Sequence, residues 1–562
     1  MEAAGLRDII GPIMVGPSSS HTAGALRIAA MARTLCAGAP RTVVFKLYGS
    51  FAHTYTGHGT DKALVAGMLG LATDDLRIRD SFDLARAARL EFIFEPLPGV
   101  SCDHPNTVEM EITDDAGALL DVRGISVGGG AAVIDRINGV DVSITGEHNS
   151  IVIKQTDEKG VLAHIAGCIR DFDVNIATAR MYRERRGAVA YTVMETDEAI
   201  GEALKVAIQR SPAITEVRII AAEGSQVSAM GGCDDAAGAK EAGTIEGSAG
   251  TRAAKAIFPT EEAGEEAFAA LDFESGAQLL ELCQKYDCTI SALFYQREGA
   301  RLASRGEAAD TNDYLRRVLA VMRAATREPV AHPQRSMGGL IGGEAQRLAD
   351  AAAQGHTVCG GQLARATIYA LAVLETNASM GRIVAAPTAG SSGVIPAVLF
   401  SLQEEYGFDD EALGAALLNA AATGYLIARN ATVSGAEGGC QAEIGAAAAM
   451  AASAATELAG GTPAQCLAAA SNAIANMLGL VCDPIAGLVE APCQQRNASG
   501  AATALVSAQV ALAGVANLVD FDQTVAALYA VGRALPFELR ETALGGMAAT
   551  PAACDFCKSC RL

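Results

Sequence analysis

The pattern of apolar and polar positions changes character three times along the chain. Up to about residue 145, short β-rich runs at 42–47, 90–94 and 108–112 mix with helical runs at 23–35 and 61–71. That mixture predicts an α/β (α+β) domain. From 149 to about 222 the pattern reads strand (150–156), helix (160–172), two strands (175–182 and 188–195), helix (202–210) and strand (216–221). This is the ferredoxin-like βαββαβ order. Residues 224–262 are rich in Gly, Ala, Ser and charge, hold no sustained apolar period and are expected to be a linker. From 263 on, helical periodicity dominates between Gly-rich loops, with helices expected at 275–286, 313–324, 363–375, 444–458 and 501–518. No repeat of about 20–50 residues recurs, which excludes a solenoid. The expected division is therefore 1–147, 148–223, 224–262 and 263–562: α/β, ferredoxin-like, linker, and a mostly α-helical domain with a cysteine-containing tail.

Composition narrows the class. At 562 residues and a prior of ~150 per domain, two to four domains are expected. Half the residues are hydrophobic and 19% charged, which fits a globular chain and not a disordered one. A net charge of −21 argues against nucleic acid or an anionic membrane as partner. The start, MEAAGLRDII, lacks the basic and apolar regions of a signal peptide, and the stretch 501–519 reads as a buried helix. The expectation is a cytoplasmic protein whose 14 cysteines are reduced, metal-bound or catalytic.

The candidate chemistry lies in loops. Gly16-Pro17-Ser18-Ser19-Ser20-His21-Thr22 precedes a helix start, where backbone N–H groups favour an anion. His58 stands between Gly57 and Gly59, on closely approachable backbone, and its ordinary near-neutral pKa suits a general base. His104 and the tight loop 126–130 are weaker candidates in the same domain. Pro387-Thr388-Ala389-Gly390-Ser391-Ser392-Gly393 is a second small-residue loop, without the Gly-Lys-Ser/Thr ending of a nucleotide P-loop. No lysine occurs between Lys285 and Lys558, so this region cannot form a Schiff base with pyridoxal phosphate. Another electrophile is needed, and cysteine is able to hold one. Cys440, Cys482 and Cys493 each sit beside Gly or Pro, at Cys-x41-Cys-x10-Cys spacing. That spacing fits neither paired zinc ligands nor ferredoxins. Three thiolates from separate loops suit a [4Fe–4S] cluster with one open iron; three buried, merely apolar cysteines are the competing reading.

Taken together, these segments resemble the iron–sulfur-dependent L-serine dehydratases (L-serine ammonia-lyases). GPSSSHTAG at 16–24 and HGTDKA at 58–63 look like that family's β-domain. NASMGRIVAAPTAGSSG at 377–393, GAEGGCQAEIGAA at 435–447 and GLVCDPIAGLVEAPCQQRNA at 479–498 look like its α-domain. Residues 149–222, with DEKGVL at 157–162, resemble an ACT domain, so the order is β–ACT–α on one chain. The resemblance implies a pyridoxal-independent lyase making pyruvate and ammonia from L-serine, with Cys440, Cys482 and Cys493 as ligands of a [4Fe–4S] cluster. It implies His58 as the Cα base, with His21 as its alternative or its positioning partner. Ser18, Ser19, Ser20, Thr388, Ala389, Gly390 and Ser391 are the candidates for the substrate carboxylate. Cys554, seven residues after Met547, fits best the place of a resting-state ligand to the open iron, with Cys557 and Cys560 beyond it. The ACT-like part implies either L-serine regulation or dimerisation, in a homodimer or a higher homo-oligomer.

Overall fold

The computed structural model describes residues 4–146, 148–196, 198–221, 264–305 and 310–559, with the side chains of 557–559 outside the description. The expected linker at 224–262 lies outside the described residues, as does Cys560. The chain divides into two compact units. One combines residues up to Asn138 with those from Phe258 on; the other runs from Gly139 to Ile257.

In the first unit, strand β1 (Ile13–Val15) leads into a single π-helical turn (Ser19–Gly24) and the helix Ala25–Leu35. Strands β2 (Pro40–Tyr48), β3 (Glu91–Pro96), β4 (Asn106–Asp114), β5 (Leu119–Gly128) and β6 (Ala131–Ile137) follow, with neighbours in the order β3-β2-β4-β5-β6. Only the β2–β3 pair is parallel among these. Val43, Phe45 and Leu47 alternate along β2 and are fully buried. That is the period of two expected of a strand with one face on the core. Helix Ala25–Leu35 packs against helix Thr60–Leu69, and Gly67 allows the contact, since a Cβ there would lie 2.4 Å from the Leu26 carbonyl oxygen.

The second unit holds strand β7 (Val140–Ile144), then β8 (Asn149–Thr156), helix Val161–Asp171, β9 (Ile176–Arg183), β10 (Val189–Thr196), helix Glu202–Ile208 and β11 (Ile214–Ile220). The last four strands form an antiparallel sheet in the order β11-β8-β10-β9. Ile151, Ile153, Ile165, Ile169, Leu204, Ile208 and Val217 make its own core between sheet and helices.

The C-terminal part of the first unit is helical apart from the short strand β12 (Arg382–Val384). At its centre runs helix Ala446–Leu458, in which eight of thirteen residues are alanine and nearly all are buried. Small side chains let the helices Val394–Tyr406, Asp410–Asn430, Pro463–Met477 and Cys493–Leu512 pack around it. Helix Asp410–Asn430 is long and apolar enough to cross a membrane, but 83% of its apolar window is buried inside the protein. The helix expected at 501–518 instead spans Cys493–Leu512: Gly514, at φ +77°, follows its end.

The N-terminal segment stitches the two parts of this unit together. β1 pairs antiparallel with β12, Met14 opposite Ile383. The Tyr314 hydroxyl donates to the Ile10 carbonyl (2.6 Å), and Arg297, fully buried, donates to the Ala4 carbonyl (3.1 Å). Ile9, Ile10 and Ile13 thereby join the core of the helical part.

Candidate active site

One cavity in the first unit gathers most of the residues singled out from the sequence. Its lining includes Ser18, Ser19, Ser20 and His58 from the N-terminal part. The helical part contributes Thr388, Gly390, Cys440, Glu443, Cys482, Cys493 and Glu541. The space that a water-sized sphere can occupy in it is about 30 Å³.

On the N-terminal side, Ser18 caps the π-helical turn, its hydroxyl accepting from the His21 amide at 3.2 Å. Such turns recur at functional sites because they displace side chains from the regular helix register. The Thr22 hydroxyl donates to the His58 carbonyl at 2.7 Å and so pins the second loop to the first. Gly57 permits that placement: a Cβ there would stand 2.9 Å from the Gly487 carbonyl oxygen, in the segment between Cys482 and Cys493.

The two histidines differ. Both are fully buried. The His21 ring nitrogens are both engaged, Nδ1 with the Ser20 hydroxyl and Nε2 with the Ser50 hydroxyl, each at 2.9 Å. His21 is not among the lining residues. His58 is, and neither of its ring nitrogens has a hydrogen-bond partner among the described residues. Burial lowers the His58 pKa to about 4. Burial first, and then the neighbouring His58, lower that of His21 well below its ordinary value. Both rings are thus neutral at physiological pH, and of the two only His58 lines the cavity.

On the helical side, Cys440 precedes a second π-helical turn (Gln441–Gly445), Cys482 lies in the segment that bridges to Arg540, and Cys493 opens its helix. All three are buried. The hydrogen bond shared with Cys440, together with burial, pushes the Cys482 thiol well up; burial, then Cys440, does the same to Cys493. Arg496 lies beside them, its guanidinium 2.7 Å from Asp483 and donating to the Val481 carbonyl at 2.8 Å.

Not every candidate faces the cavity. Ala389 and Ser391 are not lining residues. The buried Ser391 hydroxyl is spent inside its own loop, on Thr388 Oγ1 (3.1 Å) and on the carbonyls of Ala386 and Thr388 (each 3.3 Å). Cys554 sits on the helix Pro551–Ser559, its Sγ 4.0 Å from the Ala548 carbonyl, and does not line the cavity either. His104 is held elsewhere, its Nδ1 accepting from the Asn106 amide at 3.2 Å.

Sequence reasoning missed two carboxyl groups and two asparagines. Glu443 accepts from the Thr388 hydroxyl at 2.8 Å, and Glu541 lines the same space. A glutamate three residues after Cys440, amid alanines, was a usable signal; nothing local marks Glu541. The buried Asn377 donates to the carbonyls of Pro17 (3.3 Å) and Ala389 (3.0 Å), and so joins the serine loop to the Thr388 loop. Asn497 accepts from the Gly393 amide (3.0 Å) and donates to the Gly390 carbonyl (2.8 Å), joining that loop to the helix of Cys493.

The cavity thus brings together three serines, an imidazole without a hydrogen-bond partner among the described residues and three thiols. Comparison with known proteins gives it a context. Residues 8–136 match the family model of the serine dehydratase beta chain, and residues 274–548 that of the serine dehydratase alpha chain. The L-serine dehydratase of Streptomyces coelicolor (strain A3(2)) is 30% identical over 547 residues, covering 95% of this chain and 96% of that protein. The probable L-serine dehydratase alpha chain of Bacillus subtilis (strain 168) is 42% identical over 279 residues, 50% of this chain and 92% of its own length. The probable beta chain of the same organism is 38% identical over 214 residues, 38% of this chain and 96% of its own.

Proposed function

Because the chain belongs to the serine dehydratase family, with beta-type and alpha-type parts on one polypeptide, we propose that the cavity is where L-serine loses water to give aminoacrylate, which then hydrolyses to pyruvate and ammonia. The observation that carries this reading is the meeting of three buried thiols and an unpartnered neutral imidazole on one space.

The donor set suits an iron–sulfur cluster held by Cys440, Cys482 and Cys493. Thiolates of a [4Fe–4S] cluster sit on separate irons, so three spaced cysteines match it and leave one iron without a protein thiolate. When bound, such a cluster supplies a Lewis acid that turns the substrate hydroxyl into a better leaving group.

The chain's own residues supply the rest. The N–H groups and hydroxyls at Ser18–Ser20, with Thr388 and Gly390 opposite, bind the substrate carboxylate. A free ring nitrogen of His58 removes the Cα proton, and His21 fixes the tilt of that ring through its own two serine contacts. Burial keeps His58 neutral and ready to accept. The Cβ hydroxyl leaves as water with the proton that His58 has taken up, and the aminoacrylate that remains tautomerises and hydrolyses to pyruvate and ammonia. The test is His58→Ala: turnover of L-serine should vanish with iron content intact, and near-unchanged rates would remove His58 from the mechanism.

The second unit supports a further part of the reading. Its βαββαβ order, with the four strands of the sheet side by side as fourth, first, third and second, is that of an ACT-type module. It serves to bind L-serine as a regulator or to join copies of the chain.

A further inference from the structure

We propose that Glu443 and Glu541 form the subsite for the substrate's α-ammonium group, and so make the enzyme select an α-amino acid over the matching hydroxy acid. The inference rests on the proposed dehydration of L-serine in this cavity and deepens it.

The two carboxyl groups come from distant parts of the sequence and line one cavity. No lysine or arginine is among the described residues lining it. Arg496, the cation beside the cysteines, is already paired with Asp483. Two carboxylates facing one space repel each other, and a cation bound there relieves that repulsion. His58 faces the same space with both ring nitrogens unpartnered, a second sign that a polar ligand completes it.

The backbone is arranged around these carboxylates. Glu541 adopts φ +60°, a left-handed conformation unfavourable for a residue with a Cβ, and its amide donates to the Cys482 carbonyl at 2.8 Å. A Cβ at Gly435 would lie 2.5 Å from Glu443 Oε2, so the bare backbone there leaves room for that carboxylate. The Thr388 hydroxyl occupies one oxygen of Glu443 from the side of the carboxylate-binding loop. A zwitterion then lies with its carboxylate toward Ser18–Ser20 and Thr388, its ammonium toward Glu443 and Glu541, and its Cα–H toward His58.

The test compares L-serine with L-glycerate, which carries a neutral hydroxyl in place of the ammonium. In Glu541→Gln, the KM for L-serine should rise roughly tenfold or more, as expected for loss of a charged hydrogen bond. The inhibition constant of L-glycerate should stay unmoved, and iron per chain should match wild type. Glu443→Gln supplies the same comparison from the other carboxylate, should the first variant fail to load iron. Equal weakening of both compounds in the iron-loaded variants, or no change in either, overturns the subsite. A wild-type enzyme that makes no pyruvate from L-serine is a different failure, and it removes the function itself.

Discussion

The ring centroids of His21 and His58 lie 4.5 Å apart, with the planes tilted by 48°. One ring is anchored by serine hydroxyls on both nitrogens, the other by none. On the proposed roles, His21 supports and His58 reacts. His58→Ala should lower kcat by roughly 10²–10⁴-fold, the usual worth of a general base. His21→Ala should cost less and leave the pH profile in place. Equal losses in the two variants would contradict this division.

The lowered His58 pKa has a measurable consequence for stability. The folded protein takes up this proton near pH 4 and an unfolded chain near 6.5. As pH falls through that window the unfolded state binds the proton first, so the contribution of His58 to stability declines. Relative to His58→Gln, wild type should lose about 2 kcal/mol between about pH 7 and about pH 5. Denaturant titrations at both pH values check this, and parallel losses in the two proteins would refute a depressed pKa.

The cavity thiols and the tail thiol should behave differently. Cys440→Ser, Cys482→Ser and Cys493→Ser should each lose iron and activity together. Cys554, which lies 4.0 Å from the Ala548 carbonyl and is not among the cavity's lining residues, should be replaceable by serine with iron per chain retained. Iron loss in Cys554→Ser equal to that of the cavity variants would place it among the ligands.

Gly57 tests the close approach of the two parts of the first unit. Gly57→Val should force the backbones at 57 and 487 apart, destabilise the fold by about 1–3 kcal/mol and cut activity further than stability explains. Wild-type kinetics in this variant would show that the approach does not position His58.

Removal of 148–223 decides the role of the second unit. If it binds L-serine as a regulator, the deletion abolishes cooperativity in L-serine while turnover continues. If it joins copies, the deletion lowers the oligomeric state seen by light scattering and leaves the shape of the saturation curve unchanged.

What the sequence made legible was the chemistry encoded in contiguous loops. Ser18–Ser20, His58 and the three cysteines stand in short runs of Gly, Pro and Ser that announce themselves without a fold. Strands β8 and β10 fell within a residue or two of expectation because each is a short apolar, β-branched run that is buried almost throughout. Glu541 was invisible because its place depends on pairing between Cys482 and Arg540 and on a left-handed backbone at an otherwise unremarkable residue. Ser391 shows the limit from the other side: its loop looks like a ligand site, and its hydroxyl bonds within that loop. The strand pair β1–β12, which ties the N-terminal segment to the helical part, joins residues hundreds of positions apart and left no local sign.

The central claim is that three cysteines and His58 form one site for L-serine dehydration. The most direct measurement is on protein purified without oxygen, in which iron and sulfide are counted per chain and pyruvate is followed after L-serine is added. The account predicts equal amounts of iron and sulfide fitting one four-iron cluster, with pyruvate release that is lost on exposure to air. An iron-free protein that stays inactive after anaerobic reconstitution would contradict it.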